Sequence, residues 1–517
     1  MIIGIDLGTT NSVVSYFTED GEPETLLNDK SKEKTPSVVL IEDGDGSKNV
    51  TVGESAERKR RLKPGNILAR TKQDIDNDEL VTTEIDGEEY DPIDAAAYIL
   101  GYLKEQAEQK LDAEVQGAVI TVPYDFGNTG RQRTIDAGKV AGLDVQQVIN
   151  EPTAACLAYV HENDVHGTLL VYDLGGGTFD ATLVDIDNQV INVISTEGIG
   201  DLGGEDFDDV LYELVRDKID EEGGLDPEEA DDQTRENLRR DLKELKHNLS
   251  DINEDFIVYQ GGGEGVEITI TSEEFEDAIK DDVERTFDKV DALFEKDAVT
   301  SEGISKEDVD SVLLVGGSTR IPLVADKVEE YFGEEPKRNV NPDTVVAQGG
   351  AIQAAEFRDE IDVTELPPHT ITNVLSHNVG LELQGGVFDE LLAESTNVPT
   401  EVSSDYTNPE DDVTQIEIPV WEKGEQDVEV SEDGEEEQIG FLELTDLPKA
   451  DEGELDIEVT FVANPDGTLK VEAYESVTDQ KVETTIEGLG LSDDRIDDKT
   501  TGLDMEDNFA TRVGRTD

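Results

Sequence analysis

The sequence predicts two related α/β lobes followed by an antiparallel β-sandwich, and three observations carry that prediction. The stretch Asp6-Leu7-Gly8-Thr9-Thr10-Asn11-Ser12 follows an apolar N-terminal run, and a near-copy, Asp173-Leu174-Gly175-Gly176-Gly177-Thr178-Phe179-Asp180, follows another at Leu169–Val171. Around both turns, strand-like stretches alternate with helix-like ones, the pattern of α/β units. Beyond residue 372 the period falls to two and turn residues recur, as in antiparallel strands.

Taken in order, residues 1–165 form lobe I, with strand patterns "IIGIDLGTTNSVVSYF" and "GAVITVP" and helical patterns "DPIDAAAYILGYLKEQAEQKL" and "EPTAACLAYVHE". Residues 166–358 form lobe II, which opens on "GTLLVYDLGGGTFDATLVDI", a replay of the first hairpin and therefore an internal duplication. Residues 359–372 contain Pro367-Pro368 and no sustained period, so they are expected to be an interdomain linker. Residues 373–490 alternate through "VGLELQGGVF", "TQIEIPVWE", "IGFLELTDL" and "LDIEVTFVANPDGTLKVEAYES", with Asn464-Pro465-Asp466-Gly467 as a hairpin turn. Residues 491–517 are acidic and weakly periodic, enough for a short helix or a tail.

A chain of 517 residues exceeds what one hydrophobic core supports. Asp and Glu number 126 against 41 Lys and Arg, a formal charge of -85, which repels nucleic acid and anionic membranes and excludes both as partners. The persistent periodicities exclude wholesale disorder, so the charge belongs to surfaces. Molar salt shortens the Debye length to about 3 Å, so a halophilic host and a salt requirement for compact folding are expected. Cys156 is the single cysteine, which leaves no internal disulfide or paired-cysteine zinc site, and the five histidines lack metal-ligand spacing. Met1–Ile5 runs into Asp6 without a basic region or a long apolar segment, so a cytoplasmic protein without signal peptide or membrane span is expected.

A Gly/Thr turn between two strands lets backbone N–H groups converge on one concavity and lets a phosphate come close. Each such turn alone reads more readily as an ordinary hairpin turn. Two of them, each headed by an aspartate, read as facing clamps on one polyphosphate, with Asp6 and Asp173 as oxygen ligands for hydrated Mg²⁺. A further glycine pair follows "SVLLV" at Gly316-Gly317-Ser318-Thr319-Arg320, where backbone can approach a nucleoside and Arg320 can stack on a base; a plain strand-to-helix loop is the alternative. Gly198 to Gly203 match GxGxxG by spacing, but they come late in the chain rather than in a first βα turn, which argues against a dinucleotide site. No Walker A pattern occurs.

The blocks "GIDLGTTNS", "AVITVPYDF", "RQRTIDAGKVAGLDV", "INEPTAACLAYV", "VYDLGGGTFD", "GGEDFD", "VLLVGGSTRIPLV" and "NPDTVVAQGGAIQAA" together resemble the heat-shock protein seventy (DnaK-type) chaperone family, in the family's order across residues 1–357. The resemblance implies an actin-like ATPase domain of duplicated ribonuclease-H-like lobes, with ATP/ADP, Mg²⁺ and K⁺ as cofactors. It implies metal-coordinating roles for Asp6, Asp173 and Asp180, and catalytic roles for Lys72, Glu151, Asp173 and Thr178. It places Gly8, Thr9, Thr10, Asn11, Gly175, Gly176 and Gly177 at the phosphates, and Gly203, Gly204, Glu205, Lys246, Ser250, Gly316, Gly317, Ser318, Arg320 and Asp343 around the rest of the nucleotide. Read without the family, Glu151 is a helix N-terminal acid beside Pro152 and Lys72 a surface lysine. His247 stands where some members place a base-stacking arginine.

The β part resembles the family's substrate domain more loosely. By position, its peptide pocket comprises Leu381, Leu383, Tyr406, Ile416 and Ile418, which read equally well as sandwich core. Gln384 and Pro409 stand where the bacterial pattern has methionine and alanine, and "HTITN" replaces a leucine-rich linker. Gln147 replaces a coupling arginine, and no long helical lid is apparent in the 27 residues from Leu491. These departures imply shallow, fast-exchanging peptide capture and weak coupling. The family implies an ATP-dependent molecular chaperone for unfolded or extended polypeptides, working with J-domain and nucleotide-exchange cochaperones. The alternatives are a small-molecule kinase on the same scaffold and a non-catalytic holdase or nucleotide-exchange partner.

Overall fold

The computed structural model describes residues 1–43, 48–60, 62–77, 80–163, 165–187, 190–261, 265–357, 370–384, 386–423, 436–465, 467–476, 480–485, 495–496 and 499–500. Most of the expected linker, from 359 to 369, and most of the expected tail lie outside these residues.

The duplication is explicit in the strand pairing. In lobe I, Ile2–Asp6 pairs antiparallel with Asn11–Phe17 and parallel with Gly117–Val122. In lobe II, Gly167–Leu174 pairs antiparallel with Phe179–Asp187 and parallel with Ser311–Val315. Each hairpin thus carries its Gly/Thr turn at the carboxyl end of a central strand, where open α/β sheets bind their ligands. The first sheet runs from Asp144–Asn150 to Pro23–Thr25, and the second from Ser311–Val315 through Val190–Ile199.

Lobe II's core gathers Tyr172, Phe179, Phe207 and Phe275, all fully buried, under the helices Gly204–Glu221, Asp232–Leu249 and Ser272–Glu295. Their buried residues recur three and four apart, as at Phe207, Leu211, Val215 and Ile219, so each helix offers one apolar stripe and leaves its acids in solvent. Between the lobes, helices Glu151–Glu162 and Val345–Ala355 share an apolar cluster with Val119 of the first sheet and Val171 of the second. That shared core fixes the two turns across one cleft.

Beyond the lobes are two four-stranded antiparallel sheets. One contains Val387–Leu392, Asn378–Leu383, Ile416–Lys423 and Glu436–Leu444; the other Thr400–Tyr406, Ile457–Ala463, Leu469–Glu475 and Gln480–Thr485. They share one apolar cluster built on Leu381, Val420, Leu442, Val459, Phe461 and Val471. Of the expected hairpin turn, Asp466 lies outside the described residues, and Gly467 takes a left-handed φ of +81°. Thr370–Thr372, inside the segment expected as linker, pair in parallel with Val190–Asn192 of lobe II.

The β part also meets lobe I. The Glu422 carboxylate accepts from Asn128 N–H at 2.8 Å and from Asn128 Nδ2 at 3.0 Å, capping the helix Asn128–Val140 from outside its own lobe. Tyr124 donates its hydroxyl to the Leu375 carbonyl at 2.9 Å, and Lys296 of lobe II pairs with Glu394. Among the described residues no helix is long and apolar enough to cross a membrane.

Candidate active site: the cleft between the lobes

The first turn is held by the Ser37 hydroxyl, which donates to the Gly8 carbonyl at 2.7 Å. The second is closed by the Gly175 N–H donating to the Thr178 carbonyl at 3.0 Å. Onto it dock the first residues of the helix Gly204–Glu221: the N–H groups of Gly204 and Glu205 donate to the carbonyls of Gly175 and Gly176 at 3.0 and 2.8 Å. Ser318 donates to the same Gly175 carbonyl at 2.7 Å. This close approach requires glycine, since a Cβ on Gly203 would lie 2.5 Å from the Gly176–Gly177 peptide. Gly316 adopts φ +83°, and a Cβ there would meet the Leu174 carbonyl oxygen at 2.3 Å.

Four acids and a lysine sit where these turns meet. Asp173 and Asp180 are register partners across the second hairpin, and Asp6 enters from the first. Burial, reinforced by the charge of Asp6, pushes Asp173 up to about 7. Burial also raises Asp6, against the pull of Lys72, and it raises Asp180 well above the carboxylate range, with Asp125 and Asp173 adding repulsion. Lys72 donates to Glu151 Oε1, both side chains being buried. Burial holds the Lys72 pKa below the ordinary lysine value, although Asp6, Asp173, Asp180 and Asp125 all favour its charge.

So much buried negative charge calls for a cation. Asp180 Oδ1 is buried without a hydrogen-bond partner, which fits a site for a hydrated metal ion. Among the described residues no three acidic, histidine or cysteine side chains converge to cage a bare ion. The donor set therefore suits Mg²⁺, which keeps several waters and takes phosphate oxygens as ligands.

One cavity of about 940 Å³ runs along the cleft. Of the residues expected at the nucleotide, Asp6, Gly8, Thr9, Thr10, Asn11, Lys72, Glu151, Asp173, Gly175, Gly176, Thr178, Gly204, Glu205, Lys246, Ser250, Gly316, Gly317, Ser318, Arg320 and Asp343 line it. Gly177, Gly203 and Asp180 lie outside its wall; Gly203 packs on the Gly176–Gly177 peptide, and Asp180 stands opposite Asp173. The structure adds residues that sequence reading missed. Arg70 donates to Glu205 at 2.6 Å and Gln73 to the Gly177 carbonyl at 3.3 Å, both crossing from lobe I to lobe II. Their adjacency to Lys72 was the available signal. Lys34 bonds Asp343 at 2.9 Å, also across the lobes, and nothing local in the sequence marks it.

The five expected pocket residues of the β part share one apolar cluster. Leu381 and Ile418 are buried in it, and Leu383, Tyr406 and Ile416 pack against it partly exposed. Tyr406 donates to Asp389 at 2.7 Å, joining an edge strand of one sheet to an edge strand of the other.

Two facing Gly/Thr turns, buried carboxylates and a Lys–Glu pair, on duplicated α/β lobes, define a mixed α/β nucleotide-hydrolysing domain of the actin-like type. The Hsp70 protein family model matches residues 2–78 and 71–510, and the chain belongs to the Hsp70 family. Two proteins named chaperone protein DnaK, from two strains of Halobacterium salinarum, are each 38% identical over 504 residues, covering 96% of this chain and 77% of theirs. This protein is accordingly an ATPase and an ATP-dependent molecular chaperone, and its acid excess is that of a halophilic protein. The family in general binds ATP or ADP with Mg²⁺, and acts on unfolded polypeptides with cochaperones.

Proposed function

We propose that the inter-lobe cleft hydrolyses ATP with Lys72 and Glu151 positioning the attacking water and Thr178 contacting the terminal phosphate. The observation that carries this reading is the group of half-buried Asp6 with buried Asp173, Asp180, Lys72 and Glu151 between two glycine turns. Bound Mg²⁺ supplies charge neutralisation for the phosphates. The chain's own part is geometric: Gly8 to Asn11 and Gly175 to Gly177 offer N–H groups to phosphate oxygens, and the Glu151 carboxylate holds Lys72 inside the cleft. Lys246, Ser250, Gly316 to Ser318, Arg320 and Asp343 hold the nucleoside, with Gly203 to Glu205 joining it to the phosphate turns. A companion K⁺ belongs to the same reading, supported by the unpartnered buried oxygens Asp125 Oδ1 and Asp180 Oδ1.

The paired four-stranded sheets are, in this reading, a β-sandwich peptide-binding domain spanning 373–490, joined through 359–372 to lobe II (166–358) and thence lobe I (1–165). An extended apolar peptide would lie over Leu381, Leu383, Tyr406, Ile416 and Ile418. J-domain and nucleotide-exchange cochaperones and a cytoplasmic location complete the proposal. Titration of ATP with and without Mg²⁺ tests the site assignments. Asp173→Asn should weaken Mg²⁺-ATP about tenfold and metal-free ATP much less; equal losses for both would remove Asp173 from the metal.

A further inference from the structure

The short helix that carries Lys72 is tied to both lobes. Thr71–Ile75 is five residues long, too short to persist on its own hydrogen bonds. Lobe I anchors it through Ile75, buried in the core, and through the pair of Lys72 with Glu151. Its N-terminus departs from local rules. Arg70 precedes the first helical residue at φ +64°, a left-handed conformation that costs an arginine free energy, and its side chain caps no helix N–H.

The guanidinium crosses the cleft instead. Its Nε donates to Glu205 Oε2 at 2.6 Å, and the other oxygen of that carboxylate accepts from the Thr10 hydroxyl at 3.2 Å. One carboxylate of lobe II therefore holds both the phosphate turn of lobe I and the residue two positions before Lys72. Gln73, the residue after Lys72, makes a second crossing. Its Nε2 donates to the Gly177 carbonyl at 3.3 Å, and a Cβ on Gly177 would lie 2.5 Å from that nitrogen. Gly177 does not line the cavity, so room for Gln73 is what its missing side chain provides. Arg70 is more than half exposed, and an exposed ion pair by itself contributes little to stability, too little to account for a strained backbone. Burial opposes the Arg70 charge, yet Glu205, with Asp209 and Asp206 behind it, outweighs this and raises its pKa, so the helix Gly204–Glu221 faces this cation with several acids.

We infer that Arg70 is a positioning residue for Lys72: by reaching Glu205 across the cleft, with Gln73 on Gly177 as a second tie, it sets the lysine against the phosphate turn of lobe II. The inference rests on the reading of Lys72 as a group that positions the attacking water. The lysine is then fully in place only while the lobes are tied, and the contact that supports hydrolysis also delays release of nucleotide.

Single-turnover ATP hydrolysis by the full chain with Mg²⁺ in molar KCl, measured beside ATP affinity and the rate of ADP release, separates positioning from binding. Arg70→Asn is the substitution to make, because asparagine accepts a left-handed backbone and an N-cap position better than arginine does, so a purely structural role predicts no loss. The hydrolysis rate constant should fall about tenfold while ATP affinity stays within about threefold of the parent's, and ADP release should quicken about tenfold. The double variant Arg70→Asn, Glu205→Gln should hydrolyse no more slowly than the poorer single variant, the mark of one shared contact. Parental hydrolysis in Arg70→Asn, losses that multiply in the double variant, or a fall in ATP affinity as large as the fall in hydrolysis would overturn the inference. Lys72→Ala tests the reading beneath it: unchanged turnover there would overturn both, whereas loss in Lys72→Ala beside parental hydrolysis in Arg70→Asn would overturn the role of Arg70 alone.

Discussion

The cleft and the pocket proposed for the β part pose opposite problems. The cleft buries ionisable groups at a cost: Asp173 is pushed up to about 7, and Lys72 is held below its ordinary value. The proposed β pocket is hydrocarbon, with Leu381 and Ile418 continuous with the core and Tyr406 tied to Asp389 at its rim. A charged ligand demands a site that breaks the rules of burial, whereas an apolar peptide demands one that obeys them. Sites of the first kind stand out from a core, and sites of the second kind merge with it.

The broadest way to break the comparison is to remove salt, which should affect both regions together. In dilute buffer the uncompensated charge of -85 should leave the chain expanded, and compaction should return as KCl approaches molar levels, followed by circular dichroism and light scattering. Cooperative folding at low salt would show that the acid excess is not opposing the fold.

Lys72→Ala should separate the regions. Turnover should fall about a hundredfold or more while ATP still binds, since the change removes electrostatic positioning and leaves the glycine turns intact. Unchanged turnover would place the catalytic cation elsewhere. Ile416→Asp is the complementary lesion: it puts a charge on the partly exposed wall of the pocket and should weaken binding of a fluorescent apolar peptide by about tenfold or more. Peptide affinity equal to the parent's would return Ile416 to ordinary core.

A smaller effect should come from pH at the junction of lobe I with the β part. Burial opposes the charge on His377, but the Glu422 carboxylate, with Asp76 and Asp125 behind it, outweighs this and raises its pKa. Glu422, penalised by burial but paired with His377 at 3.5 Å and hydrogen-bonded by Asn128, is held below the ordinary glutamate value. Docking should therefore keep its full contribution below the free histidine value of about 6.5 and lose it as pH rises through the raised docked-state value. Trp421, the single tryptophan and the neighbour of Glu422, is a natural fluorescence reporter. His377→Gln should flatten the profile; an unchanged profile would move the titration to another group.

The same contrast explains what the sequence made legible. The cleft announced itself because Gly8 and Gly175 to Gly177 follow strand-like runs that end in aspartates, with Gly316 after a third strand-like run, a pattern with few purposes. Lys72 and Glu151 came only through resemblance, because their pairing joins positions 79 apart. The cap of Glu422 on Asn128 spans 294 residues, and no local periodicity encodes it. Lys34 and Lys243 were invisible for a related reason: a lysine in an acidic protein looks like surface until the fold gathers several around one cavity.

The measurement that tests the central claim most directly is ATP turnover in molar KCl with and without an unfolded polypeptide, because it asks whether cleft and pocket form one machine. Polypeptide should accelerate phosphate release about twofold or more in the parent and leave Ile416→Asp unstimulated, a modest coupling free energy between two sites. Identical turnover with and without polypeptide in the parent, at concentrations where the peptide is bound, would contradict the account.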